Sequence, residues 1–170
     1  MDLPADPDGR VAAFGNQLTE AHIWLREELA RLRADIGSSV DGGGERPREL
    51  RAHCLTFCSA LSRHHLSEDG EAFPRVADQF PELRPVLAQL ATDHQVVASI
   101  LRRIEELLGD LGPGLSEARR VRAELDGLAA LLESHFAYEE KRLVSAPISQ
   151  DRRVRLGFRA RRPLSIQQSR

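Results

Sequence analysis

The feature that most constrains this chain is a set of four long stretches in which apolar residues recur at three- and four-residue steps. Each stretch is interrupted by histidine. Leucine, alanine, arginine and glutamate dominate these stretches, and runs of β-branched residues are absent. The first four are good helix formers, and the steps match the 3.6-residue period of an amphipathic helix. The sequence therefore predicts an all-α fold.

The predicted helices are separated by glycine and proline. We expect Pro47 to open the second helix, Gly70 to close it and Ser116 to cap the fourth. The pairs Phe73-Pro74 and Phe80-Pro81 predict an irregular or short helical connection. Four amphipathic helices with short connections predict an antiparallel up-down-up-down four-helix bundle. The predicted helices cover about residues 10–36, 47–69, 81 or 85 to 108, and 116–145.

Length and composition predict one domain with an aliphatic core, because the chain has 170 residues and is 41% hydrophobic but only 5% aromatic. We assign residues 1–9 to a flexible N-terminus, 10–146 to the bundle and 147–170 to a basic tail. The tail lacks apolar periodicity, so we expect it to be disordered. The net charge of −2 argues against nucleic-acid binding by the whole chain, although the tail carries seven arginines and one acid.

The sequence also predicts a soluble, cytoplasmic protein that does not contact a membrane. No apolar run approaches the roughly 20 residues that a membrane-spanning helix needs. The acidic N-terminus is unlike a secretory signal. Cys54 and Cys58 are four residues apart on a predicted helix, which is a poor disulfide framework and fits a reducing compartment.

Histidines and acids lie on the apolar faces of the predicted helices. His135 and Glu139 are four residues apart and share one helix face, and His64 and Glu68 repeat this spacing. Burying such groups is costly unless something pairs with them, and a metal centre would pair with all of them at once. The candidate ligands, contributed by all four helices, are His22, His64, Glu68, His94, His135 and Glu139.

These ligands suit two metal ions better than one. Imidazole binds iron, copper, zinc and nickel, while carboxylates can bridge two ions. Six ligands are too many for a tetrahedral zinc site. Helical bundles build carboxylate-bridged di-iron and di-manganese sites from side chains that project inward. The residue types favour a metal pair of this kind, and they also admit manganese or zinc.

The ordered set His22…His64-x-x-x-Glu68…His94…His135-x-x-x-Glu139 resembles the hemerythrin-like, or HHE cation-binding, family over about residues 10–145. The resemblance implies two iron ions (Fe2+/Fe3+) joined by an oxo or hydroxo bridge. The four histidines would then be terminal ligands and the two glutamates would be bridges.

Two departures separate the chain from the oxygen-carrying hemerythrins. Those proteins have a second histidine one turn after the third-helix ligand, where this chain has Ala98. Their fourth-helix carboxylate is an aspartate one residue further along than Glu139. The chain therefore resembles the HHE branch, and reversible oxygen storage is disfavoured.

By this resemblance, we expect a non-haem di-iron protein that binds or reduces a small oxidant, with catalase-like activity as one form. Its partner would be a diatomic or peroxide ligand: dioxygen, nitric oxide or hydrogen peroxide. The alternative is an iron or oxygen sensor, or a metal-binding module, without turnover. A structural bundle without metal is the third hypothesis.

Several residues near the predicted ligands admit two interpretations. His64 and His65 differ by about 100° around a helix, so we expect only one to point fully inward. The family register favours His64, with His65 beside the ligands or at the surface. Tyr138 either hydrogen-bonds to a ligand or packs between helices. We expect Trp24 to pack between helices and His53 to lie partly exposed at the end of the bundle.

Overall fold

The computed structural model describes residues 7–40, 47–109 and 115–145, and every regular element within these ranges is helical. This confirms the predicted all-α fold. A short helix, the third in chain order, lies between the second and third long helices. The five α-helices within these ranges are α1 (Pro7–Val40), α2 (Pro47–Ser67), α3 (Phe73–Gln79), α4 (Arg84–Gly109) and α5 (Leu115–Glu139), and a 3-10 turn, Pro81–Leu83, precedes α4.

The helix ends differ from the predicted ones by a few residues. Helix α1 begins at Pro7 and ends at Val40, so it is longer than predicted at both ends. Helix α2 begins at Pro47, as predicted. Ser116 lies inside α5, where its hydroxyl donates to the Glu117 carboxylate at 2.8 Å, so it is not the predicted cap. The predicted basic tail and most of the predicted flexible N-terminus lie outside the described residues.

Ion pairs between α1 and α5 show that these helices are antiparallel. Arg33 pairs with Asp126, whereas Arg26, two turns earlier in α1, pairs with Glu133, two turns later in α5. Helix α1 packs against α2 and α5, and α4 packs against the same two helices. This order of neighbours is that of the predicted up-down-up-down bundle.

The core is divided into two apolar clusters, with the histidines between them. The larger cluster contains Leu25, which follows His22, and Leu61, which precedes His64. The smaller cluster lies on the other side of the histidines and consists of Phe73, Leu83, Val86, Leu87, Leu90 and Leu143. The polar residues are therefore enclosed by apolar side chains above and below.

Helix α2 does not end at Gly70 as predicted but continues as a π turn over Glu68–Ala72. The N–H of Phe73 donates to the Glu68 carbonyl five residues earlier, which is the π-helical pattern. Pro74 explains the wider turn, because it lacks an N–H for the Gly70 carbonyl and its ring would collide with that carbonyl in an α-helix. A second π turn, Glu140–Ser145, follows α5.

The two proline connections behave differently. Phe73 precedes Pro74 yet keeps right-handed helical dihedrals, with φ −64° and ψ −42°, so the chain passes directly into α3. Phe80 has φ −130° and ψ 73°, outside the helical region, and ends α3 before Pro81. The predicted short helical connection is confirmed, and only its second proline interrupts the helix.

The core predicts that buried and exposed leucines differ in how much their side chains contribute to the free energy of unfolding. Leu128 is fully buried in the larger cluster, whereas Leu66 is 69% exposed. We expect Leu128→Ala to lower the free energy of unfolding by about 2–5 kcal/mol, because a cavity remains where the side chain packed. Leu66→Ala, the matched control, should change it by less than about 0.5 kcal/mol. Urea unfolding at equal metal loading measures both, and equal losses would contradict this packing.

Candidate metal centre

Imidazole and carboxylate groups from all four long helices converge in two adjoining groups. Within each group the potential ligand atoms lie within 4.8 Å of one another. The first group consists of His22, His64, Glu68 and Glu139. The second consists of His65, His94 and His135. The structure thus brings together all six residues that the sequence predicted as ligands, and it adds His65.

Glu68 joins the two groups. Its Oε1 lies 3.0 Å from His64 Nε2, and its Oε2 lies 3.4 Å from His94 Nε2. Burial, and then the charge of nearby Glu139, raises the pKa of Glu68 to about 9. A carboxyl group with so high a pKa is protonated in neutral solution unless a cation stabilises its charge.

Glu139 makes the corresponding connection from α5. Its Oε2 lies 3.3 Å from His22 Nε2 and 3.6 Å from His135 Nε2, and the side chain is fully buried. These distances are short, yet within the part of the chain that the structure describes no carboxylate oxygen of Glu68 or Glu139 makes a hydrogen bond. Buried polar atoms are almost always hydrogen-bonded, so these oxygens need another partner. A metal ion is a partner that suits buried carboxylates.

Three imidazoles direct Nδ1 outward to a carboxylate. The bonds run from His22 to Glu140 at 2.9 Å, from His94 to Asp69 at 2.8 Å and from His135 to Asp93 at 3.4 Å. A carboxylate only accepts hydrogen bonds, so Nδ1 of each ring carries the proton and Nε2 of the neutral ring keeps a lone pair. Metal-binding histidines are oriented by this kind of outer hydrogen bond.

The remaining nitrogens face one another in the centre. His94 Nε2 and His135 Nε2 are 3.1 Å apart, as are His22 Nε2 and His64 Nε2. His94 and His135 both hold their proton on Nδ1, so two lone pairs oppose each other without a proton between them. Burial lowers the pKa of both residues and of His64, which keeps the rings neutral. A cation held by the lone pairs would remove this repulsion, so the donor set fits a metal centre.

His65 is not at the surface. It is 5% exposed, its ring stacks on His94 with centroids 3.9 Å apart, and its Nε2 has no hydrogen-bond partner among the described residues. Only one of the two consecutive histidines is buried, as expected, but it is His65 and not the favoured His64, whose side chain is 15% exposed. Helix α2 contacts both α1 and α4, so its inward arc is wide enough for His64 to face His22 while His65 faces His94.

The three acids that accept from imidazole Nδ1, here called the outer acids, are Asp69, Asp93 and Glu140. The sequence did not point to them, although each is adjacent in sequence to a predicted ligand. Glu68 and Asp69 contact the two nitrogens of His94, as Glu139 and Glu140 contact the two nitrogens of His22. In both cases the pair of acids lies where the helix becomes a π turn. The signal that could have identified the outer acids is an acidic residue directly beside a predicted ligand in the sequence.

Arg26 supports the His22 side of the centre through two carboxylates. Its Nη1 donates to Glu140 Oε1 at 2.9 Å, and its Nε donates to Glu133 at 3.0 Å. Partial burial favours a higher pKa for Glu140, but hydrogen bonds from Arg26 and His22 lower it overall. Glu140 therefore remains a charged acceptor for His22.

Two aromatic residues lie away from the centre. Tyr138 is 38% exposed and its ring lies 5.9 Å from the Arg142 guanidinium, so it faces outward and not toward the histidines. Trp24 is 45% exposed and does not fill the space between helices. Neither residue has the role that the sequence suggested, because each lies on the outer surface of its helix.

The remaining candidates have other partners. His53 is half-buried between Asp35 at 3.1 Å and Glu28 at 3.0 Å, on the surface between α1 and α2. Cys54 and Cys58 are buried free thiols in the larger apolar cluster. Among the described residues, no helix is both long and apolar enough to cross a membrane.

Comparison with known families agrees with this geometry. A family model described as the hemerythrin HHE cation-binding domain matches residues 14–146, which include both donor groups. No curated protein and no solved structure matches the chain. The family match covers most of the sequence, and the buried histidines and glutamates are of the kind that cation binding requires. The chain belongs to the hemerythrin HHE cation-binding domain family.

Proposed function

We propose that this protein holds two iron ions between its four long helices and uses them to bind or reduce a small oxidant. Dioxygen, hydrogen peroxide and nitric oxide are the candidate oxidants. The observation that carries the proposal is the opposition of His94 Nε2 and His135 Nε2 at 3.1 Å, with both outer nitrogens donating to acids. This arrangement is unfavourable without a cation and favourable with one.

The two groups of donors suggest which ligands would hold each of the two ions. His65, His94 and His135 would hold one ion, and His22 and His64 would hold the other. Glu68 and Glu139 each lie close to a histidine of both groups, so they would bridge the pair. Nitrogen and oxygen donors in a helical bundle suit iron or manganese pairs.

The two sides of the proposed pair differ in their number of protein donors. The His22 and His64 side has one imidazole fewer, so it is the side where a small molecule would bind. Iron would supply the electrons for reduction through its oxidation from Fe2+ to Fe3+. The chain itself orients the imidazoles through Asp69, Asp93 and Glu140 and excludes water with the leucines of the larger cluster.

A sensor or metal-binding module without turnover is the second candidate. The observation that favours it is the position of Tyr138, which faces outward and so would not serve the centre as an acid–base group. Within the described residues, the carboxylates of Asp69, Asp93 and Glu140 already accept hydrogen bonds from imidazoles. In this case, metal binding would act through the stability of the bundle, because it is coupled to folding.

Iron analysis with an optical spectrum tests the proposal. We expect protein loaded anaerobically with Fe2+ and then exposed to air to retain about two iron ions per chain and to absorb in the near ultraviolet. His65→Ala should lower the iron content, because it removes a donor from the three-imidazole group.

His53→Ala is the matched control, since His53 is a histidine of α2 that contacts acids at the surface. Its iron content and spectrum should equal those of the parent protein. Iron-free parent protein would contradict the proposed function, while full loading of His65→Ala would contradict only the assignment of His65.

The hydrogen bonds from the imidazoles to the outer acids predict that these acids strengthen metal binding. Asp69→Asn keeps the size of the side chain but weakens the acceptor for His94 Nδ1. We expect iron affinity to fall by about 10–100-fold, as for outer-shell partners of other metal sites. Asp78→Asn, at an exposed position of α3, should leave affinity unchanged. Competition with a chromophoric chelator measures both, and equal affinities would show that Asp69 does not orient His94.

Peroxide turnover and thermal unfolding together separate the two candidate functions. A catalase-like enzyme should release dioxygen from hydrogen peroxide faster in the iron-loaded parent than in His135→Ala treated identically. A sensor should release none above that background and should still lose several degrees of Tm on chelation, because ligands that bind only the folded state stabilise it. Oxygen electrode and calorimetric measurements on one preparation decide between them.

A further inference from the structure

A cleft of about 400 Å³ opens between α1 and α5 on the side of His22. Besides four charged residues, its lining consists of Phe136 and six leucines and alanines, namely Leu25, Leu29, Ala30, Ala129, Ala130 and Leu132. Two ion pairs cross its rim from α1 to α5, Arg26 with Glu133 and Arg33 with Asp126. The charges of these pairs cancel, so the cleft presents an apolar interior beneath a neutral rim.

Phe136 lies between this cleft and the donor groups. The fully buried ring lines the cleft and stacks on His22, with centroids 3.9 Å apart and planes 16° from parallel. It also meets His64 edge-on at 6.3 Å. The Arg26 guanidinium lies 5.3 Å from the ring centroid. Phe136 thus separates the cleft from the two imidazoles of the side with fewer protein donors.

The opposite side of the centre is closed by packing. Phe73 stacks on His94 with centroids 5.6 Å apart, and His65 stacks on the same ring at 3.9 Å. Phe73 is itself buried in the smaller apolar cluster. A molecule that approached the three-imidazole group from this side would have to displace several buried side chains.

We propose that the cleft between α1 and α5 is the route by which a small uncharged molecule reaches the centre, with Phe136 as the side chain that moves aside. This inference rests on the proposed function, and it adds a path and a gating residue to it. The apolar walls favour an uncharged molecule such as dioxygen, nitric oxide or hydrogen peroxide, because an ion would lose its hydration there. Arg26 holds Phe136 in the closed position through its contacts with Glu133 and Glu140.

The test is the kinetics of nitric oxide binding to the anaerobic, ferrous-loaded parent protein and three variants, measured by stopped-flow absorbance. Ala130→Phe places a large side chain in the cleft at an exposed position. It should lower the association and dissociation rates together by about tenfold, within the range that variants of one site show. Kd, iron content and spectrum should stay unchanged, because a route affects rates and not the bound state.

Phe136→Leu should raise both rates, since a smaller side chain separates the cleft from His22 and His64. Ala52→Phe, the matched control on the exposed face of α2, should bind nitric oxide like the parent protein.

Unchanged rates in both Ala130→Phe and Phe136→Leu, at parental iron content, would overturn the route and leave the proposed function intact. An altered Kd or iron content in Ala130→Phe would also count against it, because the side chain would then disturb the centre itself. Parent protein that takes up no iron would contradict the proposed function, and the route with it, before any rate is measured.

Discussion

The hydrogen bonds from imidazole Nδ1 to the outer carboxylates are the interaction on which the centre depends. They hold the ring protons of His22, His94 and His135 on the outside and so leave lone pairs on the inside. Each bond also joins two helical segments, since the imidazole and its acid come from different parts of the chain. The tertiary contacts that hold the bundle together therefore also set the protonation of its interior.

The two π turns give the centre an approximate internal symmetry. Each begins at or next to a glutamate that lies close to both donor groups, Glu68 or Glu139, and contains the acid that follows it. The two consecutive acids then contact both nitrogens of one histidine, which is His94 for the first turn and His22 for the second. Such turns are frequent at functional sites. A cation held between the two halves would offset the cost of burying these carboxylates.

Much of the centre was predictable because helical periodicity is a local property. His22, His94 and the two His-x-x-x-Glu pairs interrupt apolar stripes, and a residue on such a stripe faces the core wherever the helix packs. The same rule placed His65 beside the ligands or at the surface, because the rule treats the core as lying in one direction from the helix. Helix α2 has neighbours on two sides, and the stacking of His65 on His94 becomes visible only when α4 is in place.

The four amphipathic helices, their antiparallel order and the residues that interrupt their apolar faces could be predicted, since they follow from spacing along the chain. The pairing of each imidazole with its acid became visible only in the folded chain, as did the outward orientation of Tyr138 and the position of Phe136 between a surface cleft and His22. These contacts join residues of different helical segments, from 25 to 118 positions apart in the chain for the three Nδ1 hydrogen bonds. No periodicity within a single helix records their alignment.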